Sequence, residues 1–405
     1  MTSCAPDGLD GMGVSVSADF RRLMQEAAVP GVAAAVIEGG RQGYPVCCGI
    51  RSATAPELVD ERTVFEAASL TKPVFAHAVL QLADQGCLSL DTPLGHYLPN
   101  YIPRDNRAST ITARHVLSHS TGLPNWRTAD FPLRTYFQPG KQFSYSGEGY
   151  LYLQKAIEAV TRQKLHTLVD ELVFRPLGMT RSSLIWDLRF DDNRAYPHDA
   201  FGLPALRFKP GEANAAASLQ TTAGDYTRFL IAVMDGERLT PGRAEAWLRP
   251  HVPVEHAGIQ CLVPNTEPKA TGVAWGLGWG LEPDQGTFFH WGDNGPVTAF
   301  TIGSLRECSA VVIFTNGASG LAIMPEMIGH FIPGPRPSLV WLDYTRNDAP
   351  VRRLLREARL QGVEAAWPRM EAAGLEPNEL RWIAQGLDAA GREPDAVWLR
   401  ERLLG

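Results

Sequence analysis

Only six of the 405 residues are lysines, and Lys72 alone among them follows a serine at a spacing of three, in Ser69-Leu70-Thr71-Lys72. On a helix, positions i and i+3 share a face, so the stem of Lys72 would lie alongside the Ser69 hydroxyl. A serine hydroxyl is a poor nucleophile at neutral pH and needs a base within hydrogen-bond reach. A lysine can serve when desolvation and nearby positive groups lower its pKa and leave part of it neutral. The flanks, Phe65-Glu66-Ala67-Ala68 and Pro73-Val74-Phe75, are apolar enough to meet that demand. Alone, a Ser-x-x-Lys spacing also occurs on solvated helix faces; these flanks argue against that reading.

Two further clusters could act with it. Phe143-Ser144-Tyr145-Ser146 follows the turn Gln138-Pro139-Gly140-Lys141. A tyrosine in such a loop could hand a proton to a leaving group if nearby ammonium groups lowered its pKa, although packing is the commoner role. Phe289-His290-Trp291-Gly292-Asp293-Asn294-Gly295 ends an expected strand. There Gly292 would let the backbone come close to substrate, and the Asp293 N–H could receive an oxyanion. A strand-ending turn rich in Gly and Asn accounts for the same residues equally well.

These residues need elements to hold them. Residues 31–50 read as two short strands joined by a Gly-rich turn, and 69–85 as a helix with Val74, Ala78 and Leu82 on one face. Pro73 fits only if that helix begins close to Ser69, and Gly86 suits a left-handed cap just past its end. A mostly helical middle follows, with candidates at 112–119 and 147–162. Thr222 and Asp225 resemble a capping box opening the next helix. From about 271 the runs GVAWGLGWGLE, GTFFHWG, VTAFTIGS and SAVVIFTNG read as strands, before a closing helix near 319–331. Strands from both chain ends around a helical insertion predict an α+β fold, an antiparallel sheet flanked by helices.

The order of Ser69-x-x-Lys72, then Tyr145-Ser146, then His290-x-Gly292 is similar to the three-motif signature of the penicillin-binding and class C β-lactamase serine hydrolases. FEAASLTKPVFAHAVLQLADQGCLSLDTPLGHYLP resembles that family's nucleophile helix, and ITARHVLSHSTGLP, PLGMTRSS and SLQTTAGDYTRFL resemble later landmarks. The resemblance covers roughly residues 20–332. It implies a β-lactamase/transpeptidase-like domain at 18–332 with a mostly helical subdomain at about 90–220. It further implies that Ser69 forms an acyl-enzyme, Lys72 takes its proton, and Tyr145 shuttles protons to leaving group and water. The N–H groups of Ser69 and Asp293 would form the oxyanion hole, and His290 would orient substrate or tune Tyr145. Gly292, Trp291 and Trp126 would fall around the substrate, Trp126 at the pocket rim.

Two departures bear on specificity. Gly147 stands where the family's second motif usually ends in asparagine, and His290 stands where class C β-lactamases usually carry lysine. Both argue against an efficient β-lactamase and resemble the esterase, D-amino-acid peptidase and acyltransferase branches. The expected function is hydrolysis of a small ester or amide, with no metal or organic cofactor. The same acyl-enzyme would serve an acyltransferase or peptide cyclase. A non-catalytic binding or assembly protein retaining the fold is the rival from another class.

The remaining features bound the reading. The net charge of −6 and 20% charged residues give no basic stripe, so neither nucleic acid nor membrane is expected as a partner. The first residues hold no basic, apolar leader pattern, the six cysteines are scattered without a Cys-x-x-Cys pair, and no long apolar run occurs, so a reduced cytoplasmic protein is expected. His115 and His119 have metal-binding spacing but no third ligand in view, and the resemblance makes His119 a structural residue of its turn. Trp275 and Trp279 read as a strand beside the site, at least one of them core. After a linker at 333–337, the last 65 or so residues read as a helical appendage on the main domain, with only a weak hint of a helical-hairpin repeat.

Overall fold

The computed structural model describes residues 9–404; Cys4 lies outside them. The strands are β1 (Gly31–Glu38), β2 (Arg41–Ser52), β3 (Ala55–Leu58), β4 (Phe65–Ala68), β5 (Leu219–Thr221), β6 (Val252–Val254), β7 (Val273–Trp275), β8 (Gly280–Glu282), β9 (Thr287–Asp293), β10 (Thr298–Ser304) and β11 (Ser309–Thr315). Nine of them form one sheet in the order β3-β2-β1-β11-β10-β9-β8-β7-β6, and β4 pairs separately with β5. Every pairing between these strands is antiparallel, and β1 meets β11 with Val32 opposite Thr315, so the two ends of the domain close the sheet.

The helices are α1 (Leu9–Ala27), α2 (Thr71–Asp84), α3 (Ala113–Leu117), α4 (Gly147–Thr161), α5 (Leu165–Val169), α6 (Ala223–Asp235), α7 (Pro241–Trp247), α8 (Met324–Gly329), α9 (Pro337–Leu342), α10 (Pro350–Gln361), α11 (Val363–Ala372), α12 (Pro377–Ala389) and α13 (Glu393–Leu404). Successive strand residues point to opposite faces, and β1 shows why its apolar run is unbroken. Ala33, Ala35 and Ile37 pack into the core that holds α2 and α6, while Val32, Ala34 and Val36 pack into the core beneath α1, α8 and α9.

Local signals read from sequence hold in the structure. Gly86 adopts φ +74° just past α2, and the Thr222 hydroxyl accepts the Asp225 N–H at the start of α6, half of the expected capping box, while the Asp225 carboxylate turns to Arg181, Ser182 and Arg228 instead. The stretch 90–220 is less helical than expected. It contains α3, α4 and α5 plus short turns, and from Pro176 to Gly211 it runs irregularly, as the prolines and glycines there dictate.

The C-terminal extension has its own small core, with Leu354, Leu355, Met370, Ile383, Leu387 and Leu399 inside it. It packs on the main domain as an appendage, taking Phe201 of that domain against Trp382 at 5.5 Å between ring centroids. Between the two, α9 follows directly on Arg336 and lies against β7 and β8. Among the described residues, no helix is long and apolar enough to cross a membrane.

Candidate active site

Strand β4 delivers Ser69 through a tight turn. Ala68 takes φ +48°, a left-handed conformation costly for a residue with a Cβ, and its carbonyl accepts the Thr71 hydroxyl at 2.6 Å. That hydroxyl in turn accepts the Leu219 N–H of β5 at 2.9 Å, tying the turn to the neighbouring strand. Helix α2 begins after Leu70, so Ser69 sits just before it, partly exposed, while residues 71–82 are all buried. Among the described residues the Ser69 N–H has no backbone partner, which leaves it free to donate outward.

Lys72 has no exposed surface. Its Nζ lies 3.0 Å from Ser69 Oγ, donates to the Ala216 carbonyl at 2.7 Å, and stands 4.7 Å from the centre of the Tyr145 ring. No carboxylate bonds to it among the described residues. Burial therefore holds its pKa well below the usual lysine range, the direction a general base requires, with Nζ within hydrogen-bond reach of the serine hydroxyl.

Tyr145 is fixed from both sides by His119. The His119 carbonyl accepts the Ser144 N–H at 2.8 Å, and its Nδ1 accepts the Ser146 N–H at 3.0 Å. The imidazole stacks on the phenol ring at 4.1 Å between centroids. An Nδ1 that accepts an N–H requires a neutral ring, and burial, with Lys72 and His290 nearby, pushes the His119 pKa well down. The expected lowering of the Tyr145 pKa is not found. Burial raises it, only partly offset by the nearness of the Ser69 hydroxyl, and the phenol oxygen has no hydrogen-bond partner among the described residues.

On β9, His290 is fully buried with its Nδ1 2.7 Å from the Trp291 carbonyl. That contact places the proton on Nδ1 and leaves Nε2 as an acceptor without a partner among the described residues. Burial and the neighbouring Lys72 push its pKa down to about 3. Gly292 is needed for strand approach rather than for substrate: a Cβ there would come 2.5 Å from the Ala67 carbonyl. That closeness brings the backbone of Asp293 beside the Ser69 turn. Asn294 extends the same bracing by donating to Glu66 on β4.

A family model described as Beta-lactamase matches residues 16–327. The chain belongs to the beta-lactamase family. Esterase EstB of Burkholderia gladioli is 27% identical over 323 residues, covering 66% of this chain and 79% of that protein. Penicillin-binding protein 4 of Amycolatopsis lactamdurans is 27% identical over 342 residues, covering 76% and 86%. In fold, the octameric penicillin-binding protein homologue from Pyrococcus abyssi is similar with a TM-score of 0.67 at 20% identity, covering 85% of this chain and 81% of that one. The family is one of serine hydrolases, and the β-lactamase/transpeptidase-like fold expected from sequence is the fold observed.

Within this beta-lactamase-family site, the structure brings Ser69, Lys72, Tyr145 and His290 together. Gly147 opens α4 two residues after Tyr145, and its N–H donates to Asn125 Oδ1 at 2.9 Å. A Cβ at Gly147 would meet the Trp126 ring at 2.7 Å, so the indole, 42% exposed, covers the position where the family usually has asparagine. Trp291, expected around the substrate, is enclosed. It is 3% exposed and packs on Tyr145 at 4.8 Å between ring centroids, with its ring stacked on that of His290 at 5.3 Å. Trp275 and Trp279 are both core.

His115 is not paired with His119, because its Nδ1 caps α3 at the Thr112 N–H. Among the described residues, no three His, Cys, Asp or Glu side chains gather as a metal set. Sequence reasoning missed the clamp by His119, the Ala216 carbonyl that orients Lys72, and two residues beyond the family match. Trp341 packs on Trp291 and Trp275, and the Tyr344 hydroxyl donates to Asp293 Oδ2 at 2.9 Å.

Proposed function

We propose that the protein hydrolyses a small ester through an acyl-enzyme on Ser69. One observation carries this reading: a fully buried lysine amine stands 3.0 Å from the serine hydroxyl with no carboxylate bonded to it among the described residues. In acylation, Ser69 Oγ attacks the carbonyl carbon as its proton passes to Lys72 Nζ. The carbonyl electron pair moves to oxygen, which the N–H groups of Ser69 and Asp293 receive. When the C–O bond to the leaving group breaks, the Tyr145 phenol, neutral at rest, gives that oxygen its proton and regains one from Lys72. Water then repeats the sequence in reverse on the acyl-enzyme, regenerating Ser69.

An ester is favoured over a β-lactam or peptide because Gly147 offers no amide to the substrate and Trp126 occupies the space. EstB, named as an esterase, is among the similar proteins. The test is intact-protein mass spectrometry after incubation with a fluorophosphonate, a p-nitrophenyl ester and a penicillin, with Ser69→Ala alongside. A fluorophosphonate adduct and ester turnover in the wild type alone are expected. Turnover retained in Ser69→Ala would remove Ser69 from the reaction.

A further inference from the structure

The segment after the family match is joined to the site by specific contacts. The first turn of α9 is anchored on Glu282 of β8, a carboxylate with no exposed surface that accepts the Ser338 N–H at 2.9 Å. The Thr287 hydroxyl holds its other oxygen at 2.5 Å. With that end fixed, the Trp341 indole seats between Phe143, Trp275 and Trp291, the aromatic layer behind Tyr145. Its Nε1 donates to the His256 carbonyl at 3.1 Å, which sets the depth of the helix. The chain then turns at Asp343, with φ +49°, and returns Tyr344 toward the end of β9.

There the Tyr344 hydroxyl donates to Asp293 Oδ2 at 2.9 Å, while Asp293 Oδ1 accepts the Gly295 N–H at 2.8 Å. Both oxygens of this carboxylate are thereby held. Asp293 is exposed at the tip of a strand, between Gly292 and Asn294, and among the described residues its carboxylate makes no other hydrogen bond. Its side chain carries a negative charge directly beside its own N–H, the group assigned to receive the oxyanion. A carboxylate free to turn toward that oxyanion would oppose the charge developing in the transition state. Burial and the nearby Asp293 charge push the Tyr344 phenol up, so it remains a donor across the working pH range.

We propose that Tyr344 is a positioning residue of the hydrolase site, holding the Asp293 carboxylate aside so that the Asp293 N–H can serve the oxyanion. This rests on the acyl-enzyme reading above. It extends the working site beyond residue 327, where the family match ends, into the segment that joins the domain to its helical appendage. Its action is on the rate of the covalent steps, since Tyr344 acts through Asp293 and not by holding the ester itself.

Tyr344→Phe keeps the ring and removes only the hydroxyl, so thermal melting should match the wild type closely. With a p-nitrophenyl ester, kcat is expected to fall about tenfold, less than the loss of an oxyanion donor itself, while KM changes by about twofold or less. The rate of labelling by a fluorophosphonate, which builds negative charge on oxygen at the same place, should fall in parallel. Asp293→Ala deletes the carboxylate but keeps the N–H, and in that background Tyr344→Phe should cost nothing further. Unchanged kcat in Tyr344→Phe, or effects of the two changes that simply add, would overturn the inference while Ser69-dependent turnover stood. Turnover that survives Ser69→Ala would instead bring down the reading beneath it, and this inference with it.

Discussion

Lys72 stands by Tyr145 and Trp126 covers Gly147, two residues on, and the two are held in opposite ways. Lys72 is wholly buried in a helix that is apolar nearly all round, and its amine is fixed by a serine and a main-chain carbonyl. His119, Tyr145 and His290 share that condition, each enclosed and each held at least in part through backbone groups. Trp126 is 42% exposed on a loop and rests on a residue that has no side chain. Asp293 and Tyr344 resemble it, being partly exposed and joined across a long stretch of sequence. In the proposed reaction the inner set performs steps common to any acyl transfer, where desolvation tunes proton affinity. The outer set touches what differs between substrates, and there the chain has departed from its family.

If that division is real, the largest losses should come from the inner set. Lys72→Ala should slow acylation by roughly 10²–10⁴-fold, the range expected for removing a positioned base, for esters and penicillins alike. Stopped-flow measurement of the acylation burst checks it. A loss confined to one substrate class would break the comparison, because a base common to all acyl transfers cannot be selective.

The buried histidines, those of the inner set together with His77, should also make the fold sensitive to acid. His290 is pushed down to about 3 and His77, stacked under Trp247, to about 4, with His119 shifted in the same direction. In the unfolded chain these groups take up protons near pH 6.5. Between that pH and the depressed folded values the unfolded state binds more protons, so folding stability falls as pH is lowered through this window. Urea titrations between pH 7 and 4 should show a loss of a few kcal/mol, and His290→Gln should flatten the slope. Equal slopes in both proteins would mean that His290 is not held neutral by its surroundings.

The same division governs what the sequence disclosed. Ser69 and Lys72 were legible because their contact is local, three residues apart across a helix start, although the helix begins at Thr71 and not at Ser69 as expected, and their flanks announced burial. The sheet was legible from strand runs whose alternation feeds two cores. Trp291 was expected around the substrate and is instead enclosed against Tyr145, Trp275 and Trp341, long-range contacts that no local pattern encodes. His119 was read as part of a turn, and it is. Its second role depends on a φ of +53° that aims its ring at a loop 27 positions later, which no local pattern encodes. Trp341 and Tyr344 lie beyond the resemblance, and their place depends on where α9 docks on Glu282, a long-range contact with no sequence signal.

The outer set is tested most sharply at Gly147, where the smallest effect is expected. Its φ is not in the left-handed region, so asparagine is allowed by the backbone. Glycine in the first turn of a helix carries an entropic cost, so stability should hold or improve slightly in Gly147→Asn. The added Cβ cannot share space with an indole carbon 2.7 Å away, but the indole is exposed and can swing outward. The variant therefore loses an aromatic wall and gains an amide beside Tyr145. One added hydrogen bond is worth about 1 kcal/mol, so the ratio of kcat/KM for a penicillin over that for a p-nitrophenyl ester should rise about fivefold. Trp126→Ala separates the two causes, since it removes the wall without supplying the amide. If both variants shift the ratio equally, the indole alone sets the preference. If neither shifts it, selectivity resides elsewhere and the outer set is only a cover over the inner one.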